Sequence, residues 1–165
     1  MPEEGIRDQI VEIAKSFPTV KGVRPTPNNN LHVTLLFLGD VEENAFKYLE
    51  KKVVQTFIQS FKMRLDLYGY FRRSKTIWIG CSSYPNELIR LVNHLKSIGT
   101  QCGVNYDDQP TKPHITLFRK VPTAEFPSVP FSITWRVSEF HLIESITSEN
   151  LTRYNKIATY RLMEE

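Results

Sequence analysis

The sequence predicts an α+β domain, with largely antiparallel sheets flanking a central cleft and helices outside. Three observations predict it. Apolar residues recur at helical spacing in three stretches: 3–17, 42–59 and 85–98. Between and after them lie runs rich in β-branched and aromatic residues, bounded by turn formers. One short strand pattern also occurs twice, about half the chain apart: Leu31-His32-Val33-Thr34-Leu35 and Pro113-His114-Ile115-Thr116-Leu117. The repeat implies two similar lobes within a single domain spanning 1–165.

The elements follow in order. Pro2 and the acidic pair Glu3 and Glu4 suit a first helical turn. Ile6, Ile10, Ile13, Ala14 and Phe17 then make a buried stripe. Pro18, Pro25, Pro27 and the run Asn28-Asn29-Asn30 give an irregular loop into the first histidine strand, 31–39. Gly39-Asp40 ends that strand, with Asp40 placed to cap the helix over 42–59. Strands are expected over 61–71 and 76–81, joined by the turn Arg72-Arg73-Ser74-Lys75. The third helix buries Leu88, Leu91, Val92, Leu95 and Ile98. A polar connection, 99–112, leads to the second histidine strand. A proline-rich loop, 122–130, precedes two long strands over 131–145 and 151–163.

Bulk properties narrow the function. A chain of 165 residues is long enough to bury a real core in one domain. Net charge of +3 and pI near 8.8 give mild attraction to anions, not the grip of a polycation. No apolar run approaches a membrane span, and the acidic start does not read as a secretory signal, so a cytoplasmic location is expected. Cys81 and Cys102 are then reduced thiols, and neither has a second cysteine or histidine at zinc-ligand spacing.

The chemistry rests on the repeat. Side chains alternate along a strand, so His32 and Thr34 share one face, and His114 and Thr116 share another. If the strands lie side by side, two imidazoles and two hydroxyls line one cleft. Neutral imidazole takes a proton from water, and imidazolium gives one to a leaving alkoxide; each role is worth about 10²- to 10⁴-fold. Hydroxyls beside them suit non-bridging phosphate oxygens. A lone histidine on a half-buried strand is more often structural, and His94 and His141 are read that way. The same His, Thr and spacing twice over sets His32 and His114 apart. No carboxylate sits at a fitting position in either motif, which argues against a metal site. Arg119, five residues past His114, points away from the histidine face on an ideal strand. It reaches the cleft only if the strand twists or ends there.

On these motifs the chain resembles the two-histidine phosphoesterases, and within them the bacterial and archaeal RNA 2',3'-cyclic phosphodiesterases, also called 2'-5' RNA ligases. Asn30 to Leu35 followed by Phe37-Leu38-Gly39 carries the first motif, and Pro113 to Arg119 the second. Similarity extends to Pro2-Glu3-Glu4, Trp78-Ile79-Gly80 and Thr152-Arg153-Tyr154, nearly the whole chain. The resemblance implies a bilobal, pseudo-symmetric fold and metal-independent chemistry without a cofactor. It implies RNA ending in a 2',3'-cyclic phosphate as substrate, tRNA fragments among the candidates, opened to a 2'-phosphomonoester. Some relatives also join RNA ends through a 2'-5' linkage without ATP. By motif match, His32 and His114 are the acid–base pair, and Thr34, Thr116 and Arg119 bind phosphate. Family members usually begin with a short apolar strand before the Pro-Glu turn. No such strand stands ahead of Met1-Pro2-Glu3-Glu4: either the given sequence begins after it, or the protein lacks it, and a genuine lack would leave a sheet edge open to another chain in an otherwise monomeric protein.

Weaker signals point to RNA contact beyond the phosphate. Arg72, Arg73 and Lys75 cluster with Tyr68, Tyr70, Phe71 and Trp78, a mixture that suits single-stranded RNA. Phe71, Arg73 and Tyr154 are the candidates, while Trp78 reads better as core. The competing functions are a non-catalytic RNA- or nucleotide-binding module, and a sibling enzyme acting on 2'-5' oligonucleotides or other small cyclic phosphates.

Overall fold

A computed structural model describes residues 1–107, 112–148 and 151–164. Among the described residues, three α-helices, α1 (Glu4–Lys15), α2 (Glu43–Val53) and α3 (Asn86–Gln101), and one 3-10 turn (Asn28–Asn30) are combined with eight strands. These are β1 (Arg24–Pro25), β2 (Phe61–Leu65), β3 (Leu67–Phe71), β4 (Thr76–Gly80), β5 (His114–Arg119), β6 (Ile133–Val137), β7 (Glu139–Ser148) and β8 (Leu151–Arg161). The pairings between strands are antiparallel, in a sheet of order β1-β5-β4-β3 and in two ribbons, β2-β6 and β7-β8. Part of the predicted 99–112 connection, residues 108–111, lies outside the described residues.

The helices form where the apolar stripe predicts; α1 and α2 are shorter than expected, and α3 runs three residues past the expected end at 98. Ile6 and Ile10 of α1, Leu49 and Val53 of α2, and Leu88, Leu91 and Ile98 of α3 turn into one core. Helix α2 stops at Val53 rather than 59. The amides of Gln55 and Thr56 turn back onto the carbonyls of Lys52 and Val53, and the chain then runs extended, with Gln59 bridging Met163. Crowded β-branched residues at 53, 54 and 56 disfavour further turns there. Asp40 does not cap α2: Val41 and Glu42 intervene, and Glu42 holds the cap position without a side-chain bond.

Two predicted long strands are each divided between sheets. The 61–71 run breaks at Asp66, whose carboxylate accepts hydrogen bonds from Ser82 N–H (2.7 Å), Ser82 Oγ (2.9 Å) and Arg64 Nε (2.8 Å). The later run breaks at Ser138, whose carbonyl takes the Leu162 amide at 2.8 Å. Between these pivots, β2 and β6 pair in full register from Phe61–Val137 to Leu65–Ile133. Their alternate side chains are buried against the helices. The chain thus leaves one shared ribbon twice, towards β3 and towards β7.

The first histidine run departs most from expectation. Residues 34–39 form no strand, and the run is tied to β5 by a single antiparallel bridge, Val33 to Ile115. A further hydrogen bond joins Asp107 N–H to Phe37 O at 3.1 Å. The composition is strand-like, but the ladder that would hold it as a strand is incomplete.

Candidate active site

The Val33–Ile115 bridge sets the geometry of the site. In an antiparallel pair, stepping one residue either way places His32 opposite Thr116 and Thr34 opposite His114. Directly opposed residues have Cβ atoms about 4.5–5.5 Å apart and share a face. Ile115, on the other face, is fully buried, which fixes that side as core. The two imidazoles and two hydroxyls therefore occupy one face, each histidine across from the other motif's threonine.

Both imidazoles are oriented in the same way. His32 Nδ1 lies 2.6 Å from Asn30 O, and His114 Nδ1 lies 2.6 Å from Lys112 O. A carbonyl only accepts, so each Nδ1 carries the proton and each Nε2 is left as the working nitrogen. Sequence reasoning missed these props, because any residue two positions upstream supplies a carbonyl. Asn30 also acts through its side chain, where Nδ2 donates to Thr152 O at 2.7 Å and latches β8 onto the first motif.

Each imidazole also meets an aromatic ring. Tyr154 packs edge-on to His32 with centroids 4.7 Å apart, and Phe71 packs edge-on to His114 at 4.9 Å. Trp78 lies 5.1 Å from Phe71 and 5.7 Å from His114. Its ring rests on Gly69, where a Cβ would stand 2.0 Å from Trp78 Cζ2, so only glycine leaves the room. Trp78 is buried, as its reading as core required, yet it floors the histidine cleft. Arg73 stays exposed on the β3–β4 turn, and nothing places it at the cleft.

The side to which Arg119 turns differs from that of an idealised strand. Ile77 pairs with Phe118 and Trp78 with Thr116, so Leu117 is an extra residue in β5. This bulge resets the alternation. Phe118 turns to Phe17 on the α1 side, with centroids 5.4 Å apart, and Arg119 is freed to the other side. Its charge acts on both His32 and His114.

The imidazoles hold protons less readily than usual. Burial is the largest cause at His32, followed by an opposing pull from the Asn30 carbonyl and further lowering by the N-terminus, Arg119 and His114. Burial also dominates at His114, opposed by the Lys112 carbonyl and reinforced by Arg119. Both are thus neutral at pH 7, with Nε2 open to accept a proton. His94 and His141 stand outside this arrangement. His141 pairs with Thr159 Oγ1 (3.0 Å) and Glu139 (3.4 Å), and burial pushes its pKa down to about 4. Among the described residues, no three His, Cys, Asp or Glu side chains converge to hold a metal.

The sequence model of the 2'-5' RNA ligase superfamily matches residues 2–149. The chain belongs to that superfamily. It is 36% identical over 167 residues to the RNA 2',3'-cyclic phosphodiesterase of Escherichia coli, an alignment covering 98% of this chain and 92% of that protein. Escherichia coli LigT in its apo form superposes with a TM-score of 0.87 at 33% identity, covering 98% of this chain and 93% of LigT. LigT complexed with 3'-AMP gives 0.84 at 34% identity, covering 98% and 94%. The expected family and α+β fold are borne out. Among the described residues, no helix is long and apolar enough to cross a membrane.

Proposed function

We propose that this chain hydrolyses RNA 2',3'-cyclic phosphate ends to 2'-phosphomonoesters by two-histidine acid–base catalysis. One observation carries the reading: the antiparallel register at Val33 and Ile115 opposes each histidine to the other motif's threonine. The relatives named RNA 2',3'-cyclic phosphodiesterase, and the neighbour that binds 3'-AMP, support the substrate class.

In this reading the phosphate sits between the motifs, its non-bridging oxygens taking hydrogen bonds from Thr34 and Thr116 and charge from Arg119. His114 Nε2 removes a proton from water as its oxygen attacks phosphorus. The bond from phosphorus to O3' breaks, and protonated His32 Nε2 delivers its proton to O3'. The product carries a 2'-phosphate and a free 3'-hydroxyl; His114 ends protonated and His32 neutral, and exchange with solvent resets both. His32 must first gain a proton that its cationic neighbours disfavour. The incoming phosphate anion raises its affinity. With a 5'-hydroxyl RNA end attacking in place of water, the same steps in the same direction form a 2'-5' linkage without ATP, and their reversal cleaves one.

Phe71 and Tyr154 extend the site towards the flanking nucleotides, one ring beside each imidazole. RNA fragments with cyclic ends, tRNA pieces among them, fit a cleft open to single strands. The test is turnover of nucleoside 2',3'-cyclic phosphates in excess EDTA with the 2'- and 3'-phosphate products resolved. A 2'-phosphate product is expected; a 3'-phosphate product, or binding without turnover from pH 5 to 9, overturns the reading. An activated leaving group separates the two roles: it should rescue His32→Ala and leave His114→Ala inactive.

A further inference from the structure

One end of the four-stranded sheet carries cations that the fold does not need. Arg24 of β1 lies directly opposite Arg119 of β5. Directly opposed residues share a face, and like charges so placed destabilise a strand pair. Just beyond that pair, the Val121 N–H donates to Lys75 O at 2.9 Å and ties the β3–β4 turn to the end of β5. Lys75 has φ 51° and Lys120 has φ 60°. Among the described residues they are the only non-glycines with positive φ. That region suits glycine, and a lysine held in it costs backbone free energy. Arg24, Arg119, Lys75 and Lys120 are all exposed, and among the described residues no carboxylate pairs with Arg119, Lys75 or Lys120. Costs of this kind collect where a ligand binds.

The cations begin where the histidine cleft ends. The ladder between β4 and β5 runs from Gly80–His114 to Ile77–Phe118, so the next step sets Thr76 beside Arg119. Thr76 in turn pairs with Phe71, the ring that packs edge-on to His114. A cyclic phosphate terminates the 3' side of an RNA, so the rest of its strand, with every backbone phosphate, continues on the 5' side. We infer that this end of the sheet binds the backbone phosphates preceding the cyclic end, with Arg24 as the residue that distinguishes an RNA strand from a mononucleotide. The inference rests on the reading of the cleft as a cyclic phosphodiesterase site. In that reading Arg119 serves the cyclic phosphate, and Arg24, across from it on the same face, meets the phosphate before it. Lys120 and Lys75 extend the basic surface past the end of the ladder. A phosphate lying between opposed cations turns their repulsion into a shared attraction. A cyclic mononucleotide has no such phosphate and makes none of these contacts.

The test compares a nucleoside 2',3'-cyclic phosphate with a trinucleotide ending in the same group. For the wild-type protein, kcat/KM should be about tenfold or more higher on the trinucleotide. Its apparent affinity should also fall more steeply with salt, by about 0.7 in the log–log slope for each phosphate neutralised. Arg24→Gln should cut the trinucleotide-to-mononucleotide ratio about tenfold, and Arg24→Lys should keep most of it. Lys75→Gly and Lys120→Gly separate binding from folding. Glycine suits the left-handed backbone, so Tm should not fall, while each variant should lose about 0.7 from the salt slope on the trinucleotide. A wild-type ratio near one, or a ratio unchanged in Arg24→Gln, overturns the inference and leaves the cleft reading standing. So does a lower Tm with an unchanged salt slope in both glycine variants, which would make the lysines structural. Hexaglutamate competing as strongly as the hydrolysed trinucleotide would show a general anion surface and overturn the assignment to RNA. No turnover of either substrate would sink the cleft reading, and this inference with it.

Discussion

Around His114, three full strands hold the motif: β5 pairs with β4 over four positions, β4 pairs with β3 over five, and Trp78 fills the space above Gly69. Around His32, the same residues at the same spacing hang from one bridge, one bond to Phe37 O and the Asn30 latch. Yet each imidazole has the same carbonyl prop at 2.6 Å and the same kind of edge-on aromatic neighbour. The difference teaches that the local chemistry of a histidine is set within two or three residues, while its rigidity is set by the sheet behind it. The two halves should therefore be matched in catalysis and unequal in stability.

The largest expected effect tests the match. His32→Ala and His114→Ala should each lower kcat by about 10²- to 10⁴-fold with the fold retained, as measured by cyclic-phosphate turnover and circular dichroism. The double variant should be little worse than either single one, because the pair acts as a unit. A ten-fold or smaller loss in either would mean that the two motifs do not share one phosphate.

Stability should expose the inequality. Ile115 is fully enclosed in the laddered half, so Ile115→Ala is expected to cost about 2–5 kcal/mol in denaturant unfolding. Leu35 is half-buried beside open space, so Leu35→Ala should cost less than about 2 kcal/mol. Gly69→Ala drives a methyl into the Trp78 ring, a clash worth about 1–3 kcal/mol. Equal costs at 35 and 115 would show that both halves are packed alike.

The aromatic neighbours give a smaller, symmetric effect. If Phe71 and Tyr154 each meet a base, replacing either with Ala should weaken binding by about 1–3 kcal/mol per base. The comparison is sharpest with dinucleotide substrates against a mononucleotide cyclic phosphate. A ring that only props its histidine would lower kcat on both substrates alike; one that stacks a base would raise KM on the longer one.

How much of this is legible in the sequence follows the same division. The paired motifs, the apolar stripes and the antiparallel preference are local patterns, and His32, Thr34, His114 and Thr116 fall on one face as the alternation requires. The breaks at Asp66 and Ser138 are not legible, because each run keeps its strand composition while its neighbours change. Asp66 carries a faint signal, a carboxylate in a β-rich run, which the structure explains by its bonds to Ser82 and Arg64. Ideal alternation misdirects Arg119, since a one-residue bulge at Leu117 has no composition of its own. The 31–39 strand fails for the opposite reason: its residues favour a strand, but strands are made by partners.

The smallest effect concerns pH, and Arg119 joins the two halves there. Both imidazoles have folded pKa values below the ordinary 6.5, burial being the larger cause and Arg119 contributing to each. The acid must be protonated and the base neutral, so kcat/KM for the free protein should peak on the acid side of pH 6.5. Its two limbs belong to the pair rather than to either residue. The sign for Arg119→Gln follows: removing a cation makes protons easier to hold, so both limbs should move to higher pH, beyond any loss of rate. In Arg119→Gln, a shift confined to one limb would show that the arginine faces one histidine, and that the bulge at Leu117 does not carry it to the middle of the cleft.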